Sequence, residues 1–170
     1  LNFYKKNINE RNIILNAKTL NLTWLEKIEE NIVNSGMEIY ELRKKQVNIF
    51  IQNLEDIKRY FNFTFQIAIE IKDQFFDENF SADKYTLLLK QNREIDKLIG
   101  GAKIGPHKSD FIFFTDKDCL ASQLSTGQQK TFVLLLYLSQ SNYLVNKCKK
   151  KPILLLDEIN SHLDEINTKL

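Results

Sequence analysis

From about residue 10 to residue 60, Leu25, Ile28, Ile32, Ile39, Leu42, Phe50, Leu54, Ile57 and Phe61 step mostly by threes, fours or sevens. That spacing lays a narrow apolar seam along a helix, of the kind two antiparallel helices share. Asn34-Ser35-Gly36 interrupts the run and predicts the turn between them. Glu26, Lys27, Glu29, Glu30, Arg43, Lys44 and Lys45 fill the positions between, as a solvated face. Past residue 61 the period falls to two. Phe63, Phe65, Ile67, Ile69 and Ile71 alternate with polar or small residues, which predicts a half-buried strand. Residues 82 to 99 predict a helix with Tyr85, Leu88, Leu89, Ile95 and Leu98 on one side, closed by Gly100-Gly101. Ala102 to Ile104 and Phe111 to Phe114 read as short strands around the turn-rich segment Gly105 to Asp110. Ser125 opens a helix that runs to about Tyr143. Lys147 to Lys151 form a loop, and Pro152 leads into the strand Ile153-Leu154-Leu155-Leu156. Another helix begins at Ser161-His162-Leu163-Asp164. An all-apolar strand between two helices predicts a buried parallel sheet covered on both faces, hence an α/β fold. By pattern the chain divides into a helical arm (1–61), a mixed connecting region (62–118) and a chemistry-bearing lobe (119–170).

Composition narrows the class without naming it. At 43% hydrophobic and 27% charged over 170 residues, the chain reads as globular. A net charge of +2 permits nucleic-acid binding without arguing for it. No apolar run approaches the roughly 18 residues of a membrane span, and no export leader opens the chain. Cys119 and Cys148 follow no metal-ligand spacing and read as free thiols in a reducing cytoplasm. The chain starts at Leu1 with Met37 as its single methionine, which suggests a fragment.

The candidate chemistry is concentrated near the carboxyl end. Leu154-Leu155-Leu156-Asp157-Glu158 resembles a Walker B motif. Ligands of open α/β sheets bind at the carboxyl ends of strands, where these acids fall. Asp157 offers a hard oxygen to Mg2+. Glu158, one residue on, can orient a water beside a γ-phosphate. An ordinary buried strand with acids in its exit turn would read the same way. Ser125 followed three residues later by Gln128 is a capping box, which explains itself as a helix start. Gly127 is left over, because a glycine in the first turn costs about 1 kcal/mol against alanine. It makes sense where a backbone must approach something closely, and a helix amino terminus attracts anions.

Ser125-Thr126-Gly127-Gln128 and Asp157-Glu158, joined by one apolar helix, stand in the order of the signature and Walker B motifs of ABC-type ATPases. Ser161 to Asp164 falls where such proteins carry the D-loop. Within that class the chain resembles the RecF family. Gly105-Pro106-His107-Lys108-Ser109-Asp110 resembles its Gly-Pro-His-Arg-(Asp/Ser)-Asp segment, and Ser125 to Thr131 resembles its version of the signature. Asn9-Glu10-Arg11-Asn12, Leu15, Trp24-Leu25 and Gly36 echo the family's helical arm. The departures are Lys108 for the usual arginine and Lys130 where arginine is common, which keep charge but lose a bidentate fork. No Gly-x-x-x-x-Gly-Lys-Ser/Thr phosphate loop occurs; Lys130-Thr131 imitates its end, but Gln129 stands where glycine is required.

The resemblance implies a partial P-loop NTPase, an ABC-type ATPase head with an inserted antiparallel helical hairpin arm. It implies ATP and Mg2+ as cofactors. Ser125, Gly127 and Gln128 would contact ATP held by a partner subunit, with Asp164 in the D-loop, Asp157 on the metal and Glu158 catalytic. It implies a homodimer closed around ATP, acting at single-strand/double-strand DNA junctions with RecR and RecO partners. Lys147, Lys149, Lys150, Lys151, Arg43, Lys44 and Lys45 are the expected DNA contacts, although short lysine runs also serve as solubilising surface. A non-catalytic dimerisation or DNA-docking module is the alternative reading. A transporter's nucleotide-binding domain fits poorly, since the hairpin and the Gly105–Asp110 segment have no place there.

Overall fold

The computed structural model describes residues 1–58, 67–77, 79–115 and 119–156. They cluster into two compact units, one of residues 1–44 and 72–110, the other built on residues 45–71 and from 111 onward.

The first unit is a helical hairpin capped by two short helices. Helix α1 spans Asn2–Leu15 and α2 spans Leu22–Lys58, its first part belonging to this unit. The two run antiparallel: Asn7 meets Asn31 and, further along α1, Arg11 meets the earlier residue Glu29. The hairpin therefore turns at residues 16–21, not at Asn34-Ser35-Gly36 as the sequence predicts. Asn16 closes α1 by donating to the Asn12 carbonyl at 2.9 Å. Asn21 opens α2 by accepting from the Trp24 amide at 3.0 Å. Gly36 lies inside α2 for a different reason. A Cβ there would stand 2.7 Å from Cε1 of Tyr85 and 3.4 Å from the Tyr4 ring. The glycine admits two aromatic rings rather than bending the chain.

Helix α3 (Ala82–Gln91) starts at Ser81, whose hydroxyl accepts from the Lys84 amide at 3.2 Å. Asn92 separates it from α4 (Arg93–Ile99), so the predicted helix 82–99 is two helices. Gly100, left-handed at φ 70°, ends α4, a conformation suited to glycine. Residues 102–104 form loop rather than the predicted strand. The core gathers Tyr4, Ile14, Leu25, Ile28, Ile32, Tyr85, Leu89 and Ile104. Each fully buried aliphatic side chain of this kind contributes about 1.5–3 kcal/mol.

Through that core runs a charged network. Arg11, 1% exposed, donates to Glu29 (2.9 Å), Asp96 (2.7 Å) and the Leu89 carbonyl (2.8 Å). Arg93 adds a second guanidinium on Glu29 at 2.6 Å, and Asp96 also accepts the Lys103 amide at 2.7 Å. Two arginines balance two carboxylates, so the cluster is buried with its charge paired; deleting one partner of such a group costs about 3–5 kcal/mol.

In the second unit, β1 (Ile67–Lys72) and β2 (Asp110–Thr115) pair as a small antiparallel sheet. Ile67 and Ile69 point inward while Ala68 and Glu70 face out, the predicted alternation of period two; residues 63–66 of that prediction lie outside the described residues. Helix α5 (Thr126–Asn146) lays Phe132 and Leu135 against those isoleucines and against Val47, Leu54 and Ile57 of the later part of α2. Buried Ser139 ties α5 to α2 by donating to the Phe50 carbonyl at 3.2 Å.

The expected parallel strand at 153–156 does not form. That segment has no regular structure, and Ile153 and Leu155 are 87% and 89% exposed. A strand needs a neighbour to receive its backbone hydrogen bonds, and the described sheet holds β1 and β2 alone.

Candidate functional site: the amino end of α5 and the Gly105–Asp110 segment

Ser125 caps α5 as its sequence spacing predicts. Its Oγ accepts from the Gln128 amide at 3.4 Å, and the Gln128 side-chain oxygen accepts the Ser125 amide at 3.1 Å. The Ser125 hydroxyl proton is left over for an external acceptor. The first turn contains no acid, and Ser125, Thr126 and Gln128 are exposed while Gly127 is half-buried. An anion approaching this end meets free amide groups and the positive end of the helix dipole. The donor set therefore fits a phosphate.

Sequence reasoning missed Gln129. Its side-chain nitrogen donates to the carbonyls of Ser122 (3.1 Å) and Leu124 (2.9 Å). It therefore fastens the short 3-10 turn Ala121–Gln123 to α5 and fixes the direction from which Ser125 enters the helix. Thr131, buried, donates to the Gly127 carbonyl at 3.0 Å and stiffens the same turn. A glutamine followed by threonine just inside a capping box is the only sequence signal, and it is a weak one.

The Gly105–Asp110 segment acquires a physical account. His107 Nε2 bonds the Ala102 carbonyl at 2.8 Å, so that nitrogen carries the proton and Nδ1 accepts from the Tyr4 hydroxyl at 2.8 Å. The Tyr4 oxygen in turn accepts from Tyr85 at 3.2 Å. Burial pushes the Tyr4 phenol up to about 12 and holds the His107 imidazole below its usual range. Both effects favour the neutral chain. Gly105, at φ 136°, brings its backbone against the two tyrosine hydroxyls, where any side chain would collide. Arg43 donates to the Pro106 carbonyl and, at 2.6 Å, to the Ser109 hydroxyl. Its guanidinium holds this segment, and Lys44 and Lys45 beside it are exposed.

Lys147, Lys149, Lys150 and Lys151 are all exposed at the end of α5. Lys147 is the C-cap, and Lys149 adopts the left-handed conformation at φ 54°. Cations there also answer the negative end of the helix dipole. Asp157, Glu158 and Asp164 lie outside the described residues, so the structure brings Ser125, Gly127 and Gln128 together without placing the Walker B and D-loop residues.

The helical hairpin, the small antiparallel sheet and the capped helix α5 make up a mixed helix-and-strand fold of the kind seen in solved RecF ATPase structures. The solved structure of the recombination mediator protein RecF with ATP, in the RecFOR pathway, matches with a TM-score of 0.83, covering 98% of this chain and 47% of that one at 22% identity. A second RecF structure, with an ATP analogue, matches with a TM-score of 0.79. Among curated proteins, the DNA replication and repair protein RecF of Rickettsia typhi is 36% identical over 97% of this chain and 47% of its own length. RecF of Rickettsia rickettsii and of Rickettsia bellii are 34% and 33% identical over 95% of this chain. No protein-family model matches. The chain is homologous to RecF over nearly its whole length and spans about half the length of the curated relatives it matches.

Proposed function

We propose that this chain is part of an ATP-dependent DNA-binding protein of recombinational repair, working in the cytoplasm as RecF works. The carrying observation is the exposed, acid-free amino end of α5 with its Ser125–Gln128 capping box, in a chain homologous to RecF. Ser125 donates its hydroxyl proton, and the Gly127 backbone its amide, to the γ-phosphate of ATP bound by a partner subunit. Gln128 holds Ser125 in place, and Asp164 lines the closing interface. Asp157 would hold Mg2+, which supplies charge neutralisation on the phosphates, and Glu158 orients the attacking water. Closure of two subunits around ATP clamps DNA at single-strand/double-strand junctions. Arg43, Lys44, Lys45 and the lysines at 147 and 149–151 neutralise its phosphates. RecR- and RecO-type partners then take part in loading the recombinase.

Action in trans is what the resemblance to ABC-type ATPases implies, where the signature of one subunit closes on the nucleotide held by the other. The test uses the protein joined to a lobe bearing a phosphate loop. Ser125→Arg and Glu158→Gln should each abolish turnover, while a mixture recovers activity through hybrid dimers with one intact composite site. No recovery, with hybrid dimers demonstrated, rejects the trans assignment. ATP binding lost in monomeric Ser125→Arg places the serine in cis.

A further inference from the structure

The outer face of α1, running to the turn that joins it to α2, carries a groove of about 960 Å3 that the α5 site does not use. Its floor is apolar: Ile13, Ile14 and Ala17 from α1 and its following turn, with Trp24 from the first turn of α2. Trp24 is 51% exposed and Ile13 is 70% exposed. At the other end stand Lys5 and Lys6, which have no carboxylate partner among the described residues. Both walls are fixed before any ligand arrives. The Asn21 side chain anchors the Trp24 amide, and α1 is held by the Arg11 network and the Tyr4 hydroxyl chain. An aromatic carried on a preformed wall makes an efficient anchor, because little backbone order remains to be imposed on binding.

We propose that this groove docks an acidic–apolar peptide segment of a partner protein, with its acid at Lys5 and Lys6 and its apolar residue against Ile13 and Trp24. Charge distribution selects this occupant. Basic residues occur at one end only, the floor is apolar, and Glu10 lies between. A nucleic-acid strand carries a phosphate at every step and would meet Glu10 and the apolar floor, whereas a peptide confines its charge to one end. Spacing sets the motif. From Lys6 to Ile13 is about 10 Å along α1 at 1.5 Å per residue, which an extended peptide covers in about three residues. The recognised segment thus has an acidic residue and a large apolar residue three or four positions apart.

Trp24 is the sole tryptophan of the chain, so its fluorescence reports the groove directly. The probe is a short peptide with paired aspartates at one end and a phenylalanine three or four residues on. Titrated into the full chain, it should shift the emission to the blue and saturate. Lys5→Glu with Lys6→Glu should weaken binding at least tenfold, as should Ile13→Asp measured by calorimetry. These three side chains are exposed, and unchanged circular dichroism and melting of the variants would show the fold intact. A peptide with lysines in place of the aspartates should not bind. The proposal is overturned by the absence of any spectral change at millimolar peptide, or by affinity indifferent to the lysine changes. An oligothymidylate that binds the groove more tightly than the peptide overturns it in favour of single-stranded nucleic acid. A blue shift that grows with protein concentration alone overturns it in favour of a second copy.

Discussion

Gly36 and His107 show how single side chains are bound to distant partners. In α2, alanine at position 36 would gain about 1 kcal/mol of intrinsic helix propensity. Its Cβ would also stand 2.7 Å from the ring of Tyr85, which is fully buried and has nowhere to retreat. Overpacking of this kind costs about 1–3 kcal/mol, so Gly36→Ala should lower the urea-unfolding free energy despite the better helix former. Gly101→Ala is the control, since a Cβ there meets nothing within 4 Å. A stabilised Gly36→Ala protein would refute the packing role. His107 makes the pH prediction. Burial lowers its basicity most; the Ala102 bond opposes this, Lys108 lowers it further, and Asp96 and Asp73 raise it. The unfolded imidazole titrates near 6.5 and the folded one lower. Between those values the unfolded chain binds more protons, so stability is fully present above about pH 6.5 and falls as the pH drops below it. The denaturation midpoint should therefore decrease from pH 7 to pH 5, and His107→Gln should flatten that slope. An equal slope in both proteins would dismiss the Tyr4–His107 bond as a contributor.

At the scale of the element, α5 combines two demands at one end. Its N-cap must accept a backbone N–H, and the same end must receive an anion. Serine satisfies both, and Ser125→Asp separates them. Aspartate caps as well as serine and suits the helix dipole, so the melting temperature should stay within about 2 °C of the parent or rise. Its negative charge would repel a phosphate, so ATP turnover in the lobe-restored protein should fall by at least a hundredfold. Ser125→Ala should behave oppositely, losing about 1 kcal/mol of helix stability while retaining part of the turnover. If both variants lose activity and stability in step, the serine is a cap and nothing more. The capping box itself was legible because its partners are three residues apart. The hairpin turn was misplaced because a glycine inside a seam reads as a break unless the rings that press on it are known.

At the scale of the whole molecule, the apolar segment at 153–156 decides behaviour in solution. Ile153 and Leu155 stand almost fully exposed without a pairing strand among the described residues. Exposed apolar chain with free backbone donors is a template for association. The chain should self-associate at micromolar concentration in sedimentation experiments, and Ile153→Lys with Leu155→Lys should shift it toward monomer. A monodisperse parent protein would count against this view. The segment's apolar run is what a central parallel strand needs. Whether it becomes one depends on neighbouring strands that pair with it.

The sequence alone determined the features whose partners are close along the chain. These are the period-two alternation of Ile67 and Ile69, the Ser125–Gln128 box that starts α5 and the glycine stop at Gly100. A helix or strand period and a cap are written within a few residues, and local hydrogen bonding enforces them. Tertiary structure decided the rest. It turned Gly36 from a bend into a contact, drew Arg43 from the surface onto Pro106 and Ser109, and made His107 the end of a hydrogen-bond chain from Tyr85 through Tyr4. In each case the decisive partner lies tens of residues away, and only packing brings it within 3 Å or so. A residue's type limits which bonds it can make; which of them it does make is fixed by what the fold places beside it.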